Sequence, residues 1–133
     1  MPPGASHAFT KLIVQDLEKL VAFYCEVYGL HAVNRLRGES IVGEEIDEVM
    51  LSADPRAAYG SLVLLRYLER GPSPSGELIL GFTTDDLPAL LDRVRAAGGR
   101  VHAPIRELPE HGLRVAFVTD PEGHLAEVVQ MLV

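Results

Sequence analysis

One stretch of the chain occurs twice, and this internal repeat limits the folds that the sequence can adopt more than any other feature. Residues 9–33 align without a gap on residues 79–103, a shift of 70 residues. Asp16 falls on Asp86, and apolar residues fall on apolar residues along the segment that follows. A repeat of this kind indicates two copies of one supersecondary unit that pack against each other.

Each copy predicts a strand, a helix and a second strand. A β-rich run ends at Asp16 or Asp86, and aspartate is a favourable N-cap because its side chain accepts from free amides of the first helical turn. Apolar residues then recur at the i, i+3, i+4, i+7 spacing of one buried helical face. Gly29 and residues 98–99 supply the glycines at which helices commonly end. The second strands are predicted at residues 30–36 and 99–103.

Each copy then continues with a predicted β-hairpin. Residues 44–52 and 61–69 flank a turn-rich segment, and residues 112–120 and 124–132 flank Pro-Glu-Gly. One helix for every three or four strands does not suit an all-parallel sheet. We therefore predict an α+β fold in which two βαβββ modules form curved, mostly antiparallel sheets, with a helix on one face of each.

The length suits one domain. A chain of 133 residues buries enough apolar surface as a single unit, whereas two separate small domains would each be marginal. We predict one domain over residues 1–133, made of repeats at about 7–68 and 77–133. Residues 69–76 are rich in Pro, Gly and Ser and form the predicted linker.

Composition excludes several classes of partner. Lys plus Arg number 12 against 19 Asp plus Glu, and the net charge of −7 without a basic cluster argues against nucleic acid. Apolar runs fall well short of the ~18 residues that span a bilayer, so no membrane partner is expected. The first residues do not resemble a secretory signal, which favours a cytoplasmic location. Cys25 is the single cysteine and is expected to be an ordinary helix residue.

Three segments carry a resemblance to a known family: "LIVQDLEKLVAFYCEVYGL", "GFTTDDLPALLDRVRAAGGRV" and "VAFVTDPEGHLAEVVQ". Together they resemble the vicinal oxygen chelate superfamily, which includes glyoxalase I, extradiol dioxygenases, methylmalonyl-CoA epimerase, and the bleomycin and fosfomycin resistance proteins. The resemblance covers nearly the whole chain. It implies the paired βαβββ fold and leaves the reaction open, because this fold hosts many chemistries.

The resemblance also implies positions for a metal site, since the metal enzymes of the superfamily take four ligands from the concave sheet faces. Those positions fall on Phe9, Leu64, Ile79 and Glu127. Only Glu127 carries a donor, whereas a transition metal needs several converging N or O donors, so neither a metal nor another cofactor is expected. The alternative is a divalent metal held by His7, Glu77 and Glu127, because His7 and Glu77 lie two residues before Phe9 and Ile79 and share their faces.

Charged residues on the predicted concave face are the candidate functional groups. Lys11, Arg66 and Glu127 interrupt a mostly apolar surface formed by residues such as Phe9, Leu64 and Ile79. Charged groups in an enclosed space are normally paired or functional. Glu127 is therefore either one half of a structural ion pair with Arg66 or Lys11, a ligand-recognition group, or a catalytic general base acting on a carbon acid.

The five histidines show no metal-binding spacing. His111 lies in the loop before the seventh strand, where it is either a lid or proton shuttle over the ligand or an exposed loop residue. His31, His102 and His124 are expected at the surface.

Two functions remain open. The first is a small-molecule lyase or isomerase that uses Glu127 without the usual metal quartet. The alternative is a metal-independent binding protein for a drug or metabolite, of the bleomycin-resistance type. The resemblance implies a homodimer in either case.

Overall fold

Two βαβββ units follow each other along the chain in the computed structural model, which describes residues 4, 7–40, 42–71 and 78–132. The first unit has strands β1 to β4 at Thr10–Ile13, His31–Glu39, Glu45–Ser52 and Leu62–Tyr67, with helix α1 at Leu17–Tyr28. The second unit has strands β5 to β8 at Ile79–Thr83, Arg100–Leu108, Leu113–Thr119 and Leu125–Met131, with helix α2 at Leu87–Ala96. The predicted α+β architecture is confirmed.

Each unit forms its own four-stranded sheet. The strand orders are β1-β4-β3-β2 and β5-β8-β7-β6. The β1–β4 and β5–β8 pairs are parallel, and the other pairs are antiparallel. The sheets are thus mostly antiparallel, as predicted, and β1 and β5 occupy equivalent edges.

Both helices begin and end where the sequence predicts. The side chain of Asp16 accepts from the amide of Lys19 at 3.2 Å, and that of Asp86 accepts from the amide of Ala89 at 3.1 Å. Gly29 ends α1 in the left-handed conformation with φ of 69°, which costs glycine no Cβ clash. No helix within the described ranges is long and apolar enough to cross a membrane.

The second strand of each unit is longer than predicted. Strand β2 extends to Glu39 and β6 extends to Leu108, because each stays paired with the full length of its hairpin partner. The predicted loop before the seventh strand is therefore short, and it contains a 3₁₀ turn at Pro109–His111. Most of the predicted linker, residues 72–76, lies outside the described residues.

The two helices and one face of each sheet share a single apolar core. Buried residues of both units belong to one cluster, and the helices contact each other. Gly99 marks the closest packing, since a Cβ there would lie 2.5 Å from the carbonyl oxygen of Thr119 and 2.8 Å from the Phe23 ring. Only glycine allows α1 to approach the second sheet so closely.

A buried carboxylate joins the two units. Asp120, at the turn between β7 and β8, is only 4% exposed. Its Oδ2 accepts from the Tyr24 hydroxyl of α1 at 2.7 Å and lies 2.7 Å from His124 Nδ1. Its Oδ1 accepts from the amides of Glu122 and His124 at 2.8 and 3.1 Å. We call these four residues the Asp120 cluster.

His124 completes the connection to the first unit. Its Nε2 lies 3.1 Å from the carbonyl oxygen of Ile13 in β1. Because Asp120 and a carbonyl oxygen both accept, both ring nitrogens must carry protons for both bonds to form. The hydrogen bond to Asp120 raises the pKa of His124 above its usual range, so the charged form is favoured. The expectation that His124 is a surface residue is wrong, since it is 8% exposed.

Glu122 adds a further connection. Its carboxylate accepts from the backbone amides of Gln15 and Asp16 at 2.7 to 3.0 Å, immediately before α1. The Asp120 cluster therefore holds the β1–α1 junction against the turn that leads into β8 and so relates the sheet faces of the two units.

We predict that this connection weakens in alkaline solution. The pKa of His124 is higher in the folded protein than the value of about 6.5 in the unfolded chain. The charged ring therefore stabilises the fold in full below about pH 6.5, and this contribution is lost as the pH rises through the folded-state pKa. Urea unfolding at a series of pH values should show the free energy of unfolding falling above about pH 6.5. In His124→Gln, stability should be lower by about 2 kcal/mol at low pH, and this pH dependence should disappear.

The matched control is His111→Gln, which removes an exposed histidine. It should retain the wild-type pH dependence. A His124→Gln protein whose stability still falls with pH as in the wild type would contradict the assignment.

Candidate functional site

Glu127 lies on the face of the second sheet that α2 does not cover. It pairs in register with Gly81 of β5 and Phe117 of β7, and its nearest same-face neighbours along β8 are Leu125 and Val129. The carboxylate is half-buried. Among the residues that the structure describes, it forms neither an ion pair nor a side-chain hydrogen bond.

The space beside Glu127 is open on the side of β5. A Cβ placed on Gly81 would meet no atom within 4 Å, and Gly81 does not have a positive φ. The carboxylate is therefore flanked by an aromatic ring on one side and by free space on the other. This arrangement leaves room for a small molecule directly against the carboxylate.

Two predicted neighbours of Glu127 differ in their placement. Ile79 lies on the same open face, one pleat from Gly81, and is 56% exposed. His111 is exposed in the 3₁₀ turn, and the adjacent Gly112 accepts from the amide of Leu132. Leu132 is five residues beyond Glu127, or about 16 Å along an extended strand. The structure does not bring His111 to Glu127, and its predicted contact with ligand stays a prediction.

Phe9 and Lys11 lie on the open face of the first sheet, as predicted. The ammonium of Lys11 is 2.9 Å from Glu48 Oε2 and 5.8 Å from the centre of the Phe9 ring. Lys11 is thus paired with Glu48 of β3 and not with Glu127.

The predicted placement of Leu64 and Arg66 is wrong. Leu64 pairs in register with Leu12 of β1, so both side chains lie on the helix-covered face, where Leu64 is fully buried. Arg66 pairs with Asp47 on the same side, in a cleft at the start of α1. The residue that faces the same side as Lys11 is Val63.

The reason is a one-residue difference in register. Strand β4 reads Leu-Val-Leu-Leu without polar alternation, so the sequence does not indicate which residues face the helix. A shift of one residue exchanges the two faces of a strand. The hypothesis of an ion pair between Glu127 and Arg66 fails for this reason, and Arg66 cannot share a ligand site with Lys11.

The donor set does not fit a metal. After the correction, the four positions implied by the resemblance are occupied by Phe9, Val63, Ile79 and Glu127, of which only Glu127 carries a donor. Within the described part of the chain, no group of three or more His, Cys, Asp or Glu side chains converges as metal ligands would. His7 is exposed and lies 3.3 Å from the hydroxyl of Thr10. Glu77, the third member of the alternative site, lies outside the described residues.

Sequence reasoning missed the second acid on an open face. Glu48 is 3% exposed and faces the same side as Lys11. Its neighbour Asp47 is also buried and points to the opposite face, where two hydrogen bonds from Arg35 lower its pKa. The run Glu-Ile-Asp-Glu contains acids on both faces, and only the pairing of β3 shows that Asp47 and Glu48 each have a cationic partner.

Comparison with protein families gives a match over almost the whole chain. A family model described as "Glyoxalase/Bleomycin resistance protein/Dioxygenase superfamily" matches residues 5–128.

Individual relatives agree with this match. A lactoylglutathione lyase of Arabidopsis thaliana is 33% identical over 122 residues, which are 88% of this chain and 41% of that protein. The chain thus spans less than half the length of that relative. A Vibrio cholerae protein named "Probable lactoylglutathione lyase" is 30% identical over 130 residues, covering 91% of this chain and 87% of the relative. A crystal structure of a glyoxalase family protein from Bacillus cereus superposes with a TM-score of 0.80 at 18% identity, covering 100% of this chain and 99% of the other.

Because only one of the four implied ligand positions carries a donor, we predict that divalent metals will not stabilise the protein. Addition of Ni²⁺, Zn²⁺ or Mn²⁺ to chelator-treated protein should leave the melting temperature unchanged, because one carboxylate cannot hold such an ion tightly. Metal analysis of the purified protein should show well below one ion per chain. The His7→Ala variant serves as the control, and stoichiometric metal that is lost in this variant would overturn the prediction.

Proposed function

Because the chain belongs to the glyoxalase/bleomycin resistance protein/dioxygenase superfamily, we propose that it is a small-molecule lyase or isomerase that moves a proton through Glu127 without a bound metal. Relatives named lactoylglutathione lyase support this reaction class. The observation that carries the proposal is the geometry of Glu127, a half-buried carboxylate that has no partner among the described residues and faces open space beside Gly81.

The proposed chemistry uses the carboxylate as both base and acid. Glu127 removes the proton from a hydroxyl-bearing carbon next to a carbonyl group, and the electron pair of the C–H bond moves toward the carbonyl oxygen to give an enediolate. Glu127 then returns the proton to the former carbonyl carbon, and the hydroxyl proton passes to the former carbonyl oxygen as the first carbon becomes the new carbonyl, so that the substrate is isomerised with no net gain or loss of atoms. A carboxylate without an ion-pair partner is suited to this role, because it need not give up a cation before it accepts the proton.

The apolar surroundings of Glu127 support the same role. Phe117 across the strand pair and Leu125 and Val129 along β8 are apolar neighbours on the same face, and such neighbours would limit the number of water molecules beside a bound substrate. A site with little water favours proton transfer to the substrate over exchange with solvent. No cofactor is part of the proposal.

A binding protein is the second candidate. It is favoured by the lack of any second titratable group beside Glu127 among the described residues, since a proton-transfer enzyme commonly uses a pair. In that case Glu127 would bind a hydrogen-bond donor or cation of the ligand, and no turnover would be seen.

Two substitutions test the proposal. Glu127→Gln keeps the size of the side chain and removes the base, and Gly81→Val fills the open space beside it. Each should lower turnover of the hemithioacetal of methylglyoxal and glutathione, and deuterium exchange at its carbon acid, by about 10²-fold or more. The melting temperature should be unchanged for Glu127→Gln and unchanged or higher for Gly81→Val, because valine suits an extended strand better than glycine.

Glu110→Gln, which alters an exposed carboxylate of the 3₁₀ turn, is the matched control and should keep the wild-type rate. Wild-type turnover in Glu127→Gln would exclude the role of this residue. If the wild type binds ligand but shows no deuterium exchange at the carbon acid, the binding-protein function is favoured.

We also propose that the protein is a homodimer. Phe9 and Ile79, on the open faces of the two sheets, are 46% and 56% exposed, and Met131 at the end of β8 is 57% exposed. Strands β1 and β5 are edge strands, which tend to be paired or covered in soluble proteins. A symmetric pair of chains would cover both surfaces.

Sedimentation velocity should therefore give twice the 14.5 kDa of the chain at micromolar concentration. Replacement of Ile79 by Lys should shift the distribution toward monomer, whereas replacement of Tyr59, which is 75% exposed and lies outside these faces, should not. A wild-type monomer would contradict this proposal without affecting the one for Glu127.

A further inference from the structure

A groove lies on the open face of the first sheet. It has a volume of about 560 Å³ and is formed by β1, β2, β3 and the turn between β2 and β3. Its walls include Lys11, Leu36, Ser40, Val42, Ile46 and Glu48. Glu127 is not among them, so this groove is distinct from the surface around that residue.

The polar end of the groove is an ion pair whose two side chains differ in exposure. The side chain of Glu48 is 5% exposed, whereas that of Lys11 is 40% exposed, and the two charged atoms are 2.9 Å apart. Glu48 therefore holds the ammonium group from below, so the ammonium is the member of this pair that a molecule in the groove would meet. The exposed side chains of Arg37 and Glu39, which carry opposite charges, also line the groove. A lysine ammonium has three N–H donors, and Glu48 accepts from one of them.

The opposite wall is apolar and exposed to solvent. Leu36 and Val42 are 49% and 80% exposed, and Ile46 forms the floor beside them. Exposed aliphatic side chains that line a groove together with a polar group are a common feature of small-molecule sites.

The pairing of charges decides which ligand suits the groove. A cationic ligand would have to displace Lys11 to reach Glu48 and would meet the ammonium first. A carboxylate or similar oxyanion can instead accept from the free N–H donors of Lys11 without breaking the existing ion pair. Charge-assisted hydrogen bonds of this kind are stronger than neutral ones.

We propose that this groove binds a small amphipathic oxyanion, whose carboxylate or equivalent group contacts Lys11 and whose hydrocarbon part lies against Leu36 and Val42. Glu48 acts as a positioning residue that orients the ammonium. The inference goes beyond the proposed function, because the groove is a second site apart from Glu127, and it does not depend on the reaction proposed for that residue.

Three probes of equal chain length test the chemistry. Hexanoate, hexanol and hexylammonium are titrated separately into the full-length protein, and binding is followed by the amide shifts in ¹H–¹⁵N NMR spectra. Hexanoate should bind about tenfold more tightly than hexanol, and hexylammonium should bind least tightly. The shifts should map to residues 36–48 and to β1.

Variants then separate recognition from folding. Lys11→Met alone leaves the buried carboxylate of Glu48 unpaired and can unfold the protein, so the double variant Lys11→Met/Glu48→Gln is the decisive one. It removes both charges and should bind hexanoate and hexanol equally. Arg70→Met/Glu44→Gln removes an exposed ion pair outside the groove, with hydrogen bonds of 2.8 Å, and should keep the tenfold preference.

Equal binding of hexanoate and hexanol by the wild type would overturn the proposal, as would a preserved preference in the Lys11→Met/Glu48→Gln protein. Glu127→Gln should keep the preference for hexanoate over hexanol. If Glu127→Gln loses turnover but still prefers hexanoate, both proposals are supported. If it keeps both turnover and this preference, only the role of Glu127 is removed.

Discussion

The buried carboxylate of Asp120 is the interaction on which the arrangement of the two units depends. It accepts from the hydroxyl of Tyr24 in the first unit and from two amides of its own turn, and His124 connects it onward to β1. Burial, and then the charge of Asp120, raises the pKa of Tyr24 far above its usual range, so the hydroxyl remains a donor. Removal of any one partner would leave part of this buried charge uncompensated, which is strongly destabilising.

Each sheet has two faces with different surroundings, because the helices cover only one of them. The helix-covered faces and the two helices form one core, in which Gly99 permits a contact that no other residue would allow. The remaining faces are free for ligand or a second chain. They carry two kinds of carboxylate, since Glu48 is paired with Lys11 whereas Glu127 has no partner among the described residues. Paired acids suit recognition, and an unpaired acid suits proton transfer.

The fold could be predicted from the sequence because the same local signals occur twice. Asp16 and Asp86 start helices, glycines end them, and the repeated pattern requires two similar units. Glu127 could be placed on an open face because the resemblance puts a ligand position there, and the buried Ala126 and Val128 on either side of it confirm that placement. The placement of Leu64 and Arg66 could not be predicted in the same way, since β4 is apolar on both faces and its parallel pairing with β1 sets the register.

The sequence by itself determined the two-unit fold, the superfamily and the lack of a metal donor at three of the four expected positions, because each of these follows from local pattern and residue chemistry. Only the tertiary structure decided which acids have partners. Lys11 and Glu48 are 37 residues apart, and Tyr24 and Asp120 are 96 apart. Contacts at such separations depend on strand register and on the packing of one unit against the other, and neither is encoded in any single segment of the chain.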